Sequence, residues 1–167
     1  MNWLIQAFGD GAPLDPHWPP DGREPLPEPL EALLASGPAA FGGGLFCTLD
    51  ARSWGADPEA PGLVFGHSAF GNLFSLDDEV FETDGETGRV VKLGPMDGFM
   101  INFLFEDFLD GVLGRKKFAK IRTRLGDLRP GQMFLPAPLP ALGGSGHPKT
   151  YVVSGLREGR EIMRQVR

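Results

Sequence analysis

The pair His67 and Ser68 is the first candidate for chemistry in this chain of 167 residues, because a base beside a hydroxyl can activate it as a nucleophile. The sequence GHSAFG at residues 66–71 begins like the Gly-x-Ser-x-Gly elbow of serine hydrolases, but its second glycine comes one position late. An elbow also requires a helix directly after the serine, whereas here two more strand-like segments follow. The sequence therefore favours a turn at Ser68 and leaves a small hydrolase using Ser68 and His67 as a third-ranked alternative.

Other reactive side chains do not form a recognisable constellation. The histidines His17, His67 and His147 are far apart, and none has a partner at metal-ligand spacing, so each is predicted to be a surface or turn residue. Cys47 stands in a strand-like segment and is predicted to be a small buried hydrophobe rather than a catalytic thiol. No metal, no cofactor and no enzymatic activity are predicted.

A pair of carboxylates, Glu106 and Asp110, could in principle serve as a catalytic acid and base. Together with Asn102 they recur every four residues in the apolar sequence of residues 96–114. Such a stripe is more typical of the wet side of an otherwise buried helix. We therefore predict a helix here, with Asp97 near its start.

Six carboxylates fall within ten residues of one predicted hairpin: Asp77, Asp78, Glu79, Glu82, Asp84 and Glu86. Their spacing does not fit a calcium-binding loop, since the glycine at the sixth position would put a valine at the first ligand. Two interpretations stay open. The carboxylates either keep an exposed hairpin solvated, or form an acidic patch that attracts a basic protein. They are the predicted partner-binding residues.

Basic side chains are concentrated near the C-terminus. Residues 1–114 hold 4 basic and 19 acidic residues, a net charge of −15, whereas residues 115–167 hold 12 basic and 3 acidic residues, a net charge of +9. The basic residues from Arg115 to Arg124 could bind nucleic acid phosphates, as part of a nucleic-acid-binding or regulatory module. No recognition-helix motif supports this, so we favour the alternative that this helix lies against the acidic part of the molecule.

The distribution of apolar residues predicts an α+β fold with short N-terminal helices, a central antiparallel β-sheet and C-terminal helices packed against it. Helical spacing occurs at residues 3–8 and 26–36, separated by a Pro- and Asp-rich linker at residues 11–25. Five segments between residues 42 and 94 are rich in Val, Phe and Leu and are separated by turn residues, as antiparallel strands are. After residue 114 we predict a helix that ends at Gly126, an extended proline-rich segment, and a final helix.

The chain shows no pattern of a membrane or secreted protein. Its N-terminus lacks the basic start and continuous apolar stretch of a signal peptide, and its most apolar region carries three acidic residues. A single cysteine excludes an internal disulfide. The sequence alone therefore predicts a cytoplasmic location.

Three segments, taken in order, resemble a known family of bacterial proteins. The sequence PLPEPLEALLASGPAAFGGGLFCTLD at residues 25–50 is similar to the opening of GAD-like domains, and VFGHSAFGNLFSLD at residues 64–77 resembles the strands that follow there. The sequence GDLRPGQMFLPAPLPALGGSG at residues 126–146 is similar to the C-terminal domain of Tdi-type immunity proteins of type VI secretion systems. The matched positions are mostly glycines, prolines and apolar residues, which carry a fold and not a catalytic site.

This resemblance implies two parts, a GAD-like α+β domain at residues 1–95 and a Tdi-type immunity domain at residues 96–167, forming one compact unit. It also implies a function, that of an immunity protein or antitoxin, which neutralises a cognate toxin effector by protein–protein interaction. The acidic character of the first 114 residues suits an effector that is basic, such as a nuclease. The ending GREIMRQVR at residues 159–167 departs from the family pattern.

Overall fold

Seven short strands form one antiparallel sheet, in which each strand pairs with the next one along the chain. The computed structural model describes residues 11–13, 30–31, 37–50 and 54–167. The strands of this sheet are β1 (Gly11–Pro13), β2 (Ala39–Phe41), β3 (Phe46–Thr48), β4 (Leu63–Ser68), β5 (Leu73–Leu76), β6 (Val80–Thr83) and β7 (Val90–Gly94).

The central strands β4 and β5 are buried on both faces. Neighbouring residues of a strand point to opposite faces, and here both neighbours are apolar: Val64 and Leu73 face one side, and Phe65 and Phe74 face the other. Two hydrophobic clusters result, one on each face. The sheet is therefore a middle layer with structure packed on both sides.

Aromatic rings fill the first face. Helices α1 (Met96–Asn102) and α2 (Glu106–Gly111) lie over it. Phe99 packs against Phe65 and Phe74 with ring centroids 5.6 and 5.4 Å apart, and Phe103 meets Phe46 at 4.9 Å. Because aromatic pairs of this kind bury large apolar areas, the sheet and the segment after residue 95 share one core.

The segment predicted as one helix through residues 96–114 is instead two helices separated by a turn. In a continuous helix Phe99 and Phe108 would lie about 180° apart, so one of them would face water. The break lets both rings pack in the same cluster, 5.9 Å apart. It leaves Leu104 and Phe105 at the surface, with Phe105 57% exposed.

The second face is covered by part of the C-terminal hairpin and by the last helix, which supply Met133, Leu135, Leu156 and Met163, whereas the helix after residue 114 packs on the first face through Phe118 and Ile121. Helix α3 (Arg115–Leu125) leads into a hairpin of β8 (Gln132–Pro136) and β9 (Tyr151–Gly155), and the chain ends in helix α4 (Leu156–Arg164). Two short 3-10 turns, Pro140–Leu142 and Pro148–Thr150, lie in the connection between the two hairpin strands. Helix α3 ends at Gly126 as predicted.

The predicted α+β class with a central antiparallel sheet and C-terminal helices packed against it is confirmed. The linker prediction was wrong at residues 11–13, which form an edge strand paired with β2. The helix predicted at residues 3–8 lies outside the described residues. Of the second N-terminal helix, Leu30 and Glu31 are described and are helical, and Leu30 is completely buried.

Candidate functional site

The sheet and the C-terminal elements meet along a boundary that is tightly packed in one part and open in another. We call the packed part the joint; it consists of Asp57, Glu59, His67, Gly71 and Arg160, with their partners. The open part, a cleft, is described after it. The two parts use polar side chains differently.

Arg160 is the centre of the joint. Its side chain is 2% exposed, and its guanidinium donates to the Gly71 carbonyl (Nη1···O 2.8 Å) and to the Glu59 carboxylate (Nη2···Oε2 3.0 Å). Asp57 lies 3.6 Å from the same Nη2. Burial lowers the pKa of Arg160, and the two carboxylates oppose that effect. A guanidinium stays charged at any ordinary pH, and these two acids compensate for part of the cost of its desolvation.

Two more arginines from the same end of the chain reach these carboxylates. Arg164 lies 3.4 Å from Glu59 and 3.5 Å from Asp57. Arg167 pairs with Glu59 and donates to the Gly85 carbonyl (Nη2···O 2.6 Å). Part of the charge asymmetry in the sequence is thus explained by ion pairs within the molecule, between basic residues at the C-terminus and acidic residues in the loop before β4.

His67 forms the second link of the joint. It is completely buried on β4; its Nε2 accepts a hydrogen bond from the Gly131 N–H (3.1 Å), and its Nδ1 lies 2.9 Å from the Ser68 carbonyl oxygen. The proton is thereby assigned to Nδ1, because Nε2 must accept. Burial lowers the pKa of His67 to about 4. The prediction of a surface or turn histidine was wrong here, since β4 is covered on both faces.

Ser68 and His67 do not form the pair that a hydrolase would need. They are consecutive residues of a strand, so their side chains point to opposite faces. The completely buried Ser68 hydroxyl accepts hydrogen bonds from the backbone N–H groups of Phe70 and Asn72, each at 3.2 Å. Ser68 closes the turn into β5, as the turn prediction requires, and the third-ranked hydrolase alternative loses its geometry.

The cysteine and the other histidine that the structure describes show no sign of a reactive or metal-binding site in this part of the chain. Cys47 is buried as predicted, and burial raises the pKa of its thiol to about 12, which keeps it protonated. His147 is exposed in a turn, as predicted, whereas His17 lies outside the described residues. In the described part of the chain, no three His, Cys, Asp or Glu side chains are grouped to hold a metal ion.

The six predicted partner-binding carboxylates do not form one patch. Asp77, Asp78 and Glu79 belong to the turn before β6, Glu82 lies on β6, and Asp84 and Glu86 belong to the turn after it. A strand of four residues separates the two turns by more than about 10 Å. The acidic hairpin therefore presents two separate acidic ends.

Most of these carboxylates have internal partners. Glu79 pairs with Lys92 at 3.0 Å. Burial raises the pKa of Glu82, which accepts a hydrogen bond from Asn72 that works in the opposite direction. Asp84 Oδ1 accepts from the backbone of Glu86 and from Thr87, and so shapes the turn. Within the described residues, the Glu86 carboxylate makes no hydrogen bond or ion pair.

The open part of the boundary is a cleft of about 710 Å³ between the sheet, α3, the β8–β9 hairpin and the end of the chain. The sheet side contributes the rim residues Asn72, Asp84, Glu86 and Thr87. The remaining lining is mainly apolar and is supplied by Phe70, Val112, Phe134, Pro136, Leu139, Pro140, Tyr151, Met163 and Val166. This volume lies in the range typical of ligand pockets, and the apolar lining with few charged groups is typical of them too.

A single lysine lines another part of the cleft. The Lys117 ammonium lies 4.9 Å from the centroid of the Phe70 ring and 4.8 Å from that of Tyr151. The two rings meet edge to face at 6.0 Å. Attraction between the cation and the two π faces holds the lysine in the gap between the β4–β5 turn and β9.

The basic helix α3 is partly neutralised by neighbouring residues. Arg115 and Lys116 each lie 2.8 Å from Asp110, whose pKa they lower, and Arg122 pairs with Asp127. Arg124 donates to the Tyr151 carbonyl at 2.5 Å. These contacts agree with the interpretation that the helix lies against acids of its own molecule, but the acids are Glu106, Asp110 and Asp127, which are close to it in the sequence, and not those of the acidic hairpin. Nucleic acid binding by this helix stays the less favoured alternative.

Comparison with known proteins adds a fold relationship. No protein-family model and no curated protein matches the sequence. Among solved structures, the chain is similar to the crystal structure of Atu4351 from Agrobacterium tumefaciens, with 18% sequence identity, 87% of this chain and 84% of that chain covered, and a TM-score of 0.63. At this identity the similarity concerns the fold. None of the helices in the described part of the chain combines the length and apolar character needed to cross a bilayer.

Proposed function

We propose that this protein is a cytoplasmic immunity protein of a type VI secretion system, which binds a cognate toxin effector and neutralises it by protein–protein interaction. The proposal is motivated by the ordered resemblance of three sequence segments to GAD-like and Tdi-type immunity proteins. It assigns the chain a binding role and no reaction of its own.

One structural observation supports a binding role above the others. The cleft has an apolar lining, and Asp84 and Glu86, two of the six predicted partner-binding residues, stand on its rim. Apolar surface supplies affinity when it is buried by a partner, while rim charges select the partner and its orientation. An inhibitor that works by occupancy needs such a surface.

The sign of the charge indicates the kind of effector. A nuclease must attract phosphates and is therefore basic around its active site. An acidic surface that approaches such a region is steered to it by long-range attraction, which raises the association rate at low salt. We propose that the effector is basic and that a nuclease is one instance of this class.

The decisive experiment expresses the effector encoded beside this protein with and without it. We expect growth to be rescued, and the two proteins to co-purify in a one-to-one complex whose association slows as salt is raised. Failure of both rescue and complex formation would remove the proposal. Rescue of growth without formation of a complex would also contradict the proposed binding mechanism.

A matched pair of variants tests where the effector binds. Glu86→Gln changes the cleft rim, and Asp78→Asn changes the exposed turn at the other end of β6. We expect the first variant to weaken the complex and the second to leave it nearly unchanged. The reverse result would show that the effector binds at the turn before β6 and not at the cleft.

A further inference from the structure

We infer that the cleft receives a short segment of a protein partner in which an arginine or lysine stands next to an apolar residue. The inference rests on the proposed function, whose partner it describes more closely. The basic head group would lie at Glu86 and Asp84, and the apolar neighbour against the buried part of the lining.

The carboxylate of Glu86 is available to bind a basic side chain of the partner. It lines the cleft and is without a hydrogen bond or ion pair in the described part of the chain. Asp84 stands beside it, and its Oδ1 already accepts three hydrogen bonds, from the Glu86 and Thr87 N–H groups and from the Thr87 hydroxyl. An incoming guanidinium or ammonium would thus find one unused carboxylate and a second, prearranged one.

A cation of the protein itself stands near this rim, and its contacts explain why it does not occupy the position. Arg167 also lines the cleft, but its guanidinium is engaged by Glu59 and by the carbonyls of Gly85 and Glu86. All three contacts use its nitrogen donors and leave the Glu86 side chain unpaired. Arg167 supports the turn backbone and does not neutralise the rim by direct contact.

The apolar lining specifies the rest of the ligand. Phe134 and Met163 are almost completely buried, and Leu139 and Val166 border them in the cleft. Basic side chains carry a long aliphatic stem that packs on such a surface while the charged head stays at a polar rim. Since 710 Å³ exceeds what one side chain fills, the cleft has room for an apolar neighbour as well.

Lys117 fixes the orientation. Its ammonium, between Phe70 and Tyr151, repels a second cation and attracts a carbonyl or carboxylate. A segment bound in the cleft would therefore place its basic head towards Glu86 and an acceptor group towards Lys117. A small cationic metabolite without a hydrogen-bond acceptor could pair with Glu86 but would leave Lys117 without a partner group.

The first test uses the isolated protein and a matched pair of peptides. The probe is acetyl-Leu-Arg-Leu-amide, and its control carries citrulline, the uncharged isostere of arginine. In amide NMR titrations we expect shifts at Gly85, Glu86, Thr87 and Gly114, with a dissociation constant on the order of 1 mM and binding at least about fivefold weaker for citrulline. Equal binding of both peptides, shifts confined to other surfaces, or no shift up to about 10 mM peptide overturns the inference.

The second test uses variants in complex with the effector. Glu86→Gln and the cleft-filling Ala141→Trp should each weaken the complex about tenfold or more, while Asp78→Asn should not. If the wild-type protein binds the effector and both cleft variants bind equally well, the inference is wrong and the proposed function stands. If the wild-type protein binds no effector, the proposed function fails, and the peptide titration still decides which ligand the cleft takes.

Discussion

The joint and the cleft lie on one boundary, between the seven-stranded sheet and the elements after residue 95, yet they treat charge in opposite ways. In the joint, Arg160 is buried and its carboxylate partners come from the same chain. In the cleft, Glu86 is exposed and unpaired within the described residues. The joint pairs its buried charges within the chain, although the Nε atoms of Arg160 and Arg164 have no hydrogen-bond partner among the described residues, whereas the cleft leaves a whole carboxylate for a partner.

The joint therefore serves mainly to stabilise the fold, and in the proposed function the cleft on the same boundary serves to recognise a partner. Removing one member of a buried pair leaves a desolvated charge without compensation, which is costly. Removing an exposed charge at a rim costs the free protein little, but changes which molecules it attracts. We therefore expect substitutions in the joint to lower the free energy of unfolding strongly and substitutions in the cleft to change it little.

The largest effect is expected from Arg160→Met, which keeps the aliphatic stem and removes the guanidinium. Asp57 and Glu59 lose their buried partner, and the Gly71 carbonyl loses its donor, so we expect the free energy of unfolding to fall by about 3 kcal/mol or more. Urea denaturation measures it. Lys120→Met, at an exposed position of α3, is the control and should change stability by less than about 0.5 kcal/mol.

An equal loss in both variants would show that the joint stabilises no more than the surface does. Near-neutrality of Arg160→Met would mean that Arg164 and Arg167 compensate fully for the lost guanidinium.

The next effect is a pH dependence from His67. Its pKa is about 4 when folded and 6.5 in the reference state, so the folded form resists protonation. The stability that comes from the neutral ring is fully present above pH 6.5 and is lost as the pH falls towards 4, by an amount on the order of 3 kcal/mol. His67→Gln keeps an acceptor for Gly131 but cannot titrate. The difference in unfolding free energy between the two proteins should change over that pH range; a constant difference would contradict the buried neutral state.

In the cleft, Lys117→Met should have a small effect on folding. It keeps apolar contact with Phe70 and Tyr151 and removes the cation, so we expect a loss of about 0.5–1 kcal/mol, measured by thermal unfolding. Lys120→Met again serves as the matched control. If Lys117→Met lowered the free energy of unfolding as much as Arg160→Met does, Lys117 would contribute to stability as the residues of the joint do.

The smallest effect on folding is expected from Glu86→Gln, within about 0.5 kcal/mol of the wild type, because this carboxylate has no partner in the described part of the chain. Unfolding in urea checks it on the free protein. A substantial stabilisation would instead show that Glu86 is repelled by its acidic neighbours. Such a result would mean that the carboxylates of the rim repel one another in the free protein.

Much of the fold follows from local patterns in the sequence. Strands β4 to β7, the end of α3 at Gly126 and the burial of Cys47 agree with their predictions. The errors arise where distant contacts decide the local structure. Phe99 and Phe108 cannot share a cluster on one straight helix, so the helix breaks. His67 is buried where the chain at Gly131, 64 residues further on and directly before β8, contacts its ring.

The site was less predictable than the fold. The sequence singles out Asp84 and Glu86 by their charge, but the cleft beside them is built from Phe70, Phe134 and Met163, which no spacing in the sequence connects. The acidic residues were expected to act together, yet alternation along β6 and its two turns separates them. A sequence pattern can show which residues are charged, but only the packing shows which of them remain unpaired.

The order of the strands has a kinetic consequence. Each strand of the sheet pairs with its neighbour along the chain, and the connections β2–β3, β4–β5, β5–β6 and β6–β7 are short, whereas the joint links His67 with Gly131 and Gly71 with Arg160 across 64 and 89 residues. Short loops close at little entropic cost and long ones later. We expect native-state hydrogen exchange to show the last helix opening while β4 and β5 still protect their amides. Such a molecule would lose the walls of its cleft before it loses its sheet.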